Sequence, residues 1–139
     1  MLYSGNDPIH CDFLQTDTYD GAGYLVQYHS SGIKKTAAVT DTPIAVTIDE
    51  SSRDAAGSLV AVADATVSLL PLDGVIYVKC MAIAAGSVKF GMPLYTAQTS
   101  DADGHVDDSS ANSAVLVGYF VGKHGVAIST GDLVPVAVA

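Results

Sequence analysis

Residues 74–84, GVIYVKCMAIA, form the longest apolar and β-branched stretch of the chain, and they decide its fold. Alternate positions fall into two sets: Ile76, Val78, Cys80 and Ala82 in one, and Val75, Tyr77, Lys79 and Met81 in the other. A period of two with a single charge on one side is typical of a β-strand with one better-buried face. A Gly-Met-Pro corner and a short strand at 94–96 follow, so the middle of the chain predicts strand, tight turn, strand.

Short apolar segments separated by turn residues fill the rest of the chain, with turn signals about every 8–12 residues. The predicted strands lie at 24–28, 33–40, 43–48, 58–70, 114–121, 126–129 and 132–138. Of these, 58–70 is either one bent strand or two short ones. The turn at 71–74 predicts a hairpin between 59–70 and 75–83. Gly118 marks a bulge or a close backbone approach, and Pro135 places the last strand at a sheet edge.

Nothing in the sequence has the length and period of a long helix, so we predict an all-β fold. The expected architecture is a small β-barrel or sandwich, tulip-like in outline, built from short antiparallel strands with an extended N-terminal arm. The 139 residues fit a single domain, and 49% hydrophobic residues supply a core. We expect an arm at residues 1–20 and one β domain at 21–139.

Charge and hydropathy exclude several classes of function. Six Lys and Arg against fifteen Asp and Glu give a formal net charge of −9. An acidic surface repels phosphate backbones, so we expect no nucleic-acid partner. No apolar run reaches the roughly 18 residues that span a bilayer, so we expect no membrane partner. The N-terminus lacks a basic segment followed by an apolar one, so we expect production in the cytoplasm without Sec export.

Residues 1–20 are polar with scattered large apolar side chains. These side chains follow neither the strand period of two nor the helix period of 3.6. One interpretation is a flexible terminus. The other is an arm that becomes ordered when it binds a partner, because Tyr and Phe side chains along a polar segment stay exposed to solvent unless a partner buries them. On the second interpretation Tyr3, Ile9 and Phe13 bind the partner.

The sequence offers no catalytic or metal-binding constellation. The four histidines, His10, His29, His105 and His124, have no metal-ligand spacing. The carboxylates at 101–108 predict a solvated hairpin tip or, alternatively, a weak surface cation site. No nucleophile elbow, dinucleotide fingerprint or P-loop is present. We therefore predict a protein that is not an enzyme and has no cofactor and no metal.

The two cysteines are expected to be buried free thiols, although one bridge between Cys11 and Cys80 is the alternative.

An ordered series of short motifs covers residues 43–134. It consists of Pro43-Ile44-Ala45-Val46, a loop ending at Gly57, Gly74-Val75, Ala84-Ala85-Gly86-Ser87, Gly91-Met92-Pro93-Leu94-Tyr95, Asp103-Gly104-His105-Val106, Val117-Gly118, and Thr130-Gly131-Asp132-Leu133-Val134. In this order the motifs resemble the small decoration, or cement, proteins of tailed-virus capsids, from bacteriophages or archaeal viruses.

This resemblance implies a compact β-fold, a homotrimer on the outside of an icosahedral viral head, and stabilisation of contacts between major capsid protein subunits. It implies neither a cofactor nor catalysis, and it places the protein in the virion. The N-terminal arm, with Tyr3, Ile9 and Phe13, would contact the shell.

Two other functions stay open on the sequence. One is a different virion structural β-protein, such as a head-fibre base, a turret or a tail component. The other is a small β-barrel that binds a ligand or a carbohydrate. A patch of exposed aromatic side chains in a concave groove would favour the second, whereas the seven tyrosines are dispersed along the sequence.

Overall fold

The structure, a computed structural model, describes residues 9–12, 17–30, 32–51, 53–59 and 66–139, with the backbone alone for 9–12 and Thr66. These residues form ten strands and two short 3₁₀ turns, at Ala85–Ser87 and Ala111–Ser113. The strands are β1 (Ile9–Asp12), β2 (Leu25–His29), β3 (Gly32–Lys35), β4 (Ala45–Thr47), β5 (Thr66–Pro71), β6 (Val75–Lys79), β7 (Pro93–Thr96), β8 (Val106–Asp107), β9 (Leu116–Phe120) and β10 (Leu133–Val138). The all-β prediction is confirmed.

The strands form two five-stranded sheets. The first has the order β1-β5-β4-β2-β3 and the second the order β6-β10-β9-β7-β8. Every strand pair within each sheet is antiparallel. Both sheets keep open edges among the described residues, so the architecture is a small sandwich and the alternative of a closed barrel is wrong.

Two hydrophobic cores hold the sheets. The larger core lies on the inner face of the second sheet, with Ile76, Val78 and Val136 against Leu25 and Val46 of the first sheet. The smaller core covers the opposite face of the first sheet. It contains Tyr19, Tyr24, Val26, Ile33, Ala45, Val67 and Leu69. Successive residues of β2 and β4 therefore serve different cores, because side chains alternate across a sheet.

The burial pattern predicted for residues 74–84, which contain β6, is confirmed through Cys80. Ile76, Val78 and Cys80 are buried, while Val75 and Tyr77 are exposed. The alternation ends there, since Ala82 is exposed and Ile83 is buried. Ile83 joins the core through backbone hydrogen bonds with Ile128 in both directions, so the chain leaves the ladder of β6 before it turns.

The predicted hairpin at 71–74 is wrong. β5 belongs to the first sheet and β6 to the second, so the turn carries the chain from one sheet to the other. Gly74 has a φ of +62° as the turn chemistry requires. The flanking residues Leu70 and Leu72 pack against the larger core. Burying both leucines between the sheets outweighs local pairing of the two strands.

The last strand, β10, is central and not at an edge as Pro135 had indicated, for it lies between β6 and β9. The carbonyl oxygen of Pro135 accepts a hydrogen bond from the Val121 amide at 3.0 Å. The imide nitrogen of a strand residue faces the same side as its carbonyl, and β9 has already ended at Phe120. A proline fits here because its missing N–H faces Val121, just past the end of β9, where the ladder loses only its last hydrogen bond.

Both predicted features at Gly118 are present. The register of β9 against β7 shifts so that Leu94 lies opposite Gly118 but Tyr95 lies opposite Leu116. Val117 is therefore an extra residue, which makes a β-bulge. A Cβ atom on Gly118 would stand 2.2 Å from the Ala137 carbonyl oxygen.

The described residues of the predicted arm contact the β domain at two places. Tyr19 is fully buried in the smaller core, and its backbone pairs with Ser51 through the bond from the Ser51 amide at 2.7 Å. Residues 9–12 pair with β5 of the same chain. These described parts of the predicted arm pack and pair with the β domain, while residues 1–8 and 13–16 lie outside the described residues.

Candidate assembly surface

The second sheet has one face that the rest of the described chain does not cover, here called the outer face. Residues directly opposite each other in a sheet point to the same side. The pairs Val75–Ala137, Tyr77–Pro135 and Tyr119–Ala137 define the face across β6, β10 and β9. Its uncharged members are Val75, Tyr77, Pro93, Tyr95, Leu116, Tyr119, Leu133, Pro135 and Ala137.

The side chains of the outer face reach well into solvent. Tyr77 is 60% exposed, Val75 59%, Leu133 48% and Tyr119 43%. Charged residues on the same face stand only at its two ends, Lys79 on β6 and Asp107 on β8. An uncharged apolar face is unexpected on a chain with a net charge of −9, and contiguous exposed apolar surface marks sites of protein contact.

The outer face ends at the open edge of β6. The Cys80 amide donates to Asp132 and the Val138 amide donates to Gly74, so the even-numbered residues of β6 bond to β10. The odd-numbered residues then point away from β10, and the Lys79 amide accordingly donates to the Gly23 carbonyl at 2.8 Å. For Val75 and Tyr77, no described residue supplies a backbone partner on that side.

A groove of about 320 Å³ runs along this open edge. Val46 and Leu70 of the first sheet and Val75, Tyr77 and Leu133 of the second line it. A second depression of about 300 Å³ lies beside the other flank of Leu133 and is lined by Phe120, Lys123 and Asp132, among others. Both are open and mainly apolar, and neither gathers convergent polar groups of the kind that define an active site.

A polar cluster joins the two sheets beside the Lys79 end of the outer face. The hydroxyl of Tyr24 donates to the carboxylate of Asp20. The Lys35 ammonium lies 4.0 Å from the centroid of the Tyr24 ring, and the Lys79 ammonium lies 5.0 Å from it. The ring thus binds two cations from different sheets, an arrangement in which cation–π attraction offsets mutual repulsion.

The titration properties of this cluster follow from burial. Desolvation, then the hydrogen bond to Asp20, raises the pKa of Tyr24, so its proton is held firmly. Desolvation also lowers the pKa of Lys35, against the pull of Asp17 and Asp20. The Tyr24 hydrogen bond lowers the pKa of Asp20. Because Tyr24 keeps its proton and Asp20 stays ionised, the hydrogen bond between them persists. The cluster therefore suits a structural role that holds the two sheets together.

The three residues predicted to bind a partner lie in the N-terminal segment, where the structure describes only the backbone of residues 9–12 before Asp17. Tyr3 and Phe13 are outside the described residues. The backbone of Ile9 begins β1, opposite Leu69. The structure therefore neither supports nor contradicts a role of these three side chains in binding.

The carboxylate-rich loop at 101–108 is a hairpin tip as predicted, because β7 and β8 pair across it. Its end is anchored, since the Gly104 amide donates to Thr36 and the Gly104 carbonyl accepts from Leu25. Within the described ranges, no three His, Cys, Asp or Glu side chains converge as metal ligands would. Burial raises the pKa of Asp107, which disfavours the charged form that a cation requires.

Cys80 is a free, buried thiol, which confirms the prediction for this residue. Desolvation raises the pKa of Cys80 to about 12. For Cys11 the structure describes only the backbone. A thiol with so high a pKa is a poor nucleophile at neutral pH, so Cys80 is a core residue.

Sequence reasoning missed the outer face because its members come from four strands that are distant along the chain. Tyr77, Tyr95 and Tyr119 are dispersed in the sequence, yet all three stand on one face. Strand order brings them there, and strand order was not predicted. The sequence did contain one signal for this face. In the less buried of the two alternating sets at 74–84, Val75 and Tyr77 are large and apolar.

Together the sandwich and its uncovered apolar face define a small all-β protein with a surface suited to protein contact. No family model, curated protein or solved structure matches the chain. None of the described helical segments has the length and apolar character to cross a membrane.

Proposed function

We propose that this chain is a capsid decoration protein that binds the outside of an icosahedral viral head and stabilises contacts between major capsid subunits. It acts without catalysis or a cofactor, and the resemblance of residues 43–134 gives it a trimeric form on the shell. The observation that carries the proposal is the outer face, an uncharged apolar sheet surface on a strongly acidic chain.

The physical demands on a cement protein agree with this architecture. A rigid sandwich with its own cores transmits load between two capsid subunits without unfolding. An apolar face supplies binding energy when it is covered, about 25 cal/mol for each Å² removed from water. Many copies bound to one shell add weak contacts into a large total by avidity.

The N-terminal residues Tyr3, Ile9 and Phe13 remain proposed capsid contacts. Since Tyr19 is buried and the backbone of residues 9–12 pairs with β5, residues 1–8 can bind the shell without displacing any described residue, whereas Ile9 would bind from within β1. An extended chain of eight residues reaches at most about 29 Å.

The test is a pelleting assay with expanded capsids of the virus to which this proposal assigns the chain. We expect wild-type protein to sediment with expanded capsids and Tyr119→Lys to lose at least about tenfold in affinity, since a buried charge on an apolar face is costly. Tyr28→Lys is the matched control, because Tyr28 is 75% exposed on the first sheet, away from the outer face. Wild-type protein that stays in the supernatant refutes the proposal.

Another virion structural role uses the same kind of surface, and copy number separates the two. A decoration protein is present in hundreds of copies per particle, as its sites repeat over the shell, whereas a fibre base or tail component is present in far fewer. Quantitative mass spectrometry of purified virions against the major capsid protein measures this ratio directly.

A further inference from the structure

The open edge of β6 differs from the edges formed by β3 and β8. Natural proteins protect exposed edges with lysines, prolines, bulges or very short strands. β3 carries Lys34 and Lys35, and β8 is two residues long. β6 instead presents Val75 and Tyr77, both exposed and uncharged, beside an apolar groove. An extended segment that binds at such an edge gains main-chain hydrogen bonds and covers apolar surface.

The open side of β6 continues the side of β5 on which β1 lies. In β5 the even-numbered residues bond to β4, since the Leu72 amide donates to the Ile44 carbonyl and the Ile48 amide donates to the Ser68 carbonyl. In β6 the even-numbered residues bond to β10. The odd-numbered residues therefore point toward β1 along β5 and toward the open edge along β6.

The turn at 71–74 keeps the two faces of the chain in order. Leu70, Leu72, Ile76 and Val78 all belong to the larger core or pack against it. Even-numbered side chains therefore point inward before, within and after the turn. β5 and β6 act as one bent strand, so a segment paired with β5 can follow the bend onto β6.

The register of β1 determines which residues would meet β6. Because Ile9 lies opposite Leu69 in an antiparallel pair, each step back from Ile9 is a step forward along β5. The same register sets residues 4–8 against residues 70–74. Residues 4–8 have the sequence Ser-Gly-Asn-Asp-Pro, all of them turn formers, and the two segments are equal in length. Residues 1–3 then reach the open edge of β6 in step with β1.

We propose that residues 1–3 bind the open edge of β6 of their own chain as an antiparallel strand. Tyr3 lies opposite Val75, and Leu2 lies opposite Ile76. Because directly opposite residues point to the same side of a sheet, Leu2 points inward and Tyr3 joins the outer face. The edge is thus a strand-binding site that the N-terminal segment of the chain fills.

The hydrogen bonds of this strand use the backbone groups that the described chain leaves open. Tyr3 and Val75 exchange two bonds, and the Tyr77 amide donates to the carbonyl oxygen of the first residue. Gly23 already bonds to the next odd-numbered residue, Lys79. The site therefore accepts one short strand.

Leu2 supplies an apolar side chain to the groove. The groove, about 320 Å³ in volume, is lined by Val46 and Leu70 of the first sheet and by Ile76 of the second, among others. Removing the leucine side chain and this lining from water favours binding. Among the described lining residues none is charged, which suits an uncharged Met-Leu-Tyr segment.

Binding of residues 1–3 to β6 does not depend on a capsid. Its consequence for the shell rests on the proposed function. Tyr3, a predicted shell contact, then stands beside Val75 on the same face as Tyr77 and Tyr119. The N-terminal segment and the sheet present one continuous apolar surface to the major capsid protein.

Hydrogen exchange of single amides, followed by NMR on the full chain, tests the proposal. In wild type we expect the Val75 and Tyr77 amides to exchange at least about tenfold more slowly than in Leu2→Asp, where a charge in the groove releases the segment. Tyr3→Asp is the matched control, because its side chain points to solvent and protection should persist. The Ile76 amide, which faces β10, should stay protected in every variant and shows that the fold is intact.

A cross-link tests the register and the identity of the chain that supplies the strand. In a Cys11→Ser background, Tyr3→Cys with Val75→Cys should form an intramolecular disulfide, because hydrogen-bonded pairs in an antiparallel ladder have Cα atoms about 5.5 Å apart. Tyr3→Cys with Tyr28→Cys is the control and should stay reduced, since Tyr28 lies on the first sheet. A disulfide-linked dimer would show that the segment binds a second copy and would overturn the proposal.

Equal exchange of the Val75 and Tyr77 amides in wild type and Leu2→Asp also overturns it. The pelleting assay with wild-type protein measures shell binding and not strand binding. Wild type that sediments with capsids but leaves these amides unprotected contradicts this inference alone. Protected amides in a protein that stays in the supernatant contradict the decoration function alone.

Discussion

Gly118 of β9 lies so close to Ala137 of β10 that a Cβ atom on Gly118 would stand 2.2 Å from the Ala137 carbonyl oxygen. The same atom would stand 2.8 Å from a methyl group of Val136. Both neighbours belong to β10, an interior strand of the second sheet, and this sheet carries the outer face. The glycine therefore lets β9 pair tightly with β10 beside the bulge at Val117.

Gly118→Ala should lower the free energy of unfolding by about 3 kcal/mol, because the obstacle is backbone and cannot rotate away. Gly86→Ala is the matched control, since its Cβ would meet no atom within 4 Å and should change stability by less than about 0.5 kcal/mol. Urea denaturation followed by circular dichroism measures both. Equal midpoints for the two variants would contradict the close approach.

Tyr24→Phe should cost about 1–1.5 kcal/mol of stability at neutral pH, because Asp20 loses its hydroxyl donor. The bond lowers the pKa of Asp20 in the folded state. This contribution is present above the unfolded value near 3.9 and is lost as pH falls through the lower folded value. The variant should therefore lose less stability than wild type on acidification.

Thermal unfolding from pH 7 to pH 3 measures both effects of Tyr24→Phe. Tyr28→Phe serves as its control, since Tyr28 is 75% exposed and its hydroxyl should contribute little. A Tyr24→Phe profile parallel to wild type across the acid range would show that the hydroxyl does not hold Asp20.

Stability should fall as pH drops from about 7.5 to 5.5, in part because of His105. Burial lowers the pKa of His105, with added repulsion from Lys79 and Lys35. The unfolded chain then binds the proton more readily, near its ordinary value of about 6.5, so acidification favours unfolding. His105→Asn, which can still donate to the Asp103 carbonyl as Nδ1 does at 2.9 Å, should show a flatter profile.

Urea midpoints at three pH values between 5.5 and 7.5 test the prediction for His105. The quantity to compare is the slope of stability against pH, because the substitution itself can also change the absolute stability. The carboxyl of Asp107, with its raised pKa, acts in the opposite direction at lower pH. An unchanged slope in His105→Asn would assign the pH dependence to other groups.

The Cys80 thiol should resist modification in the folded protein. Its pKa of about 12 leaves a thiolate fraction roughly a thousandfold below that of an ordinary cysteine. In a Cys11→Ser background, a thiol reagent should react with Cys80 only as fast as the protein unfolds, and rapidly in denaturant. Labelling within seconds under native conditions would mean that the core opens locally around β6.

Deleting residues 1–20 should strongly destabilise the β domain, since it removes the fully buried Tyr19 and all of β1. Loss of a buried aromatic alone costs about 3–5 kcal/mol. Deleting residues 1–8 removes no described residue and should cost at most about 2 kcal/mol, in the range for burying one leucine side chain. Similar stability of the two truncated forms would show that residues 9–20 contribute little to the stability of the β domain.

How far the sequence predicts this fold is clearest at β6 and β9. Their apolar residues alternate with the strand period, and this local pattern is enough to place each strand and its buried face. The bulge or close approach at Gly118 was predictable for the same reason, since a glycine inside a strand has few other uses. Pairing was not predictable, as the errors at the 71–74 turn and at Pro135 show.

The sequence by itself determined that this chain is all-β and which residues of 74–80 are buried. Those properties depend on side-chain period and hydropathy over neighbouring residues. Only the tertiary structure decided that β5 and β6 lie in different sheets and that β10 is central. It also decided that Tyr77, Tyr119 and Leu133 share one uncovered face. Such contacts join residues far apart in the chain, and their energy depends on which surfaces are buried together.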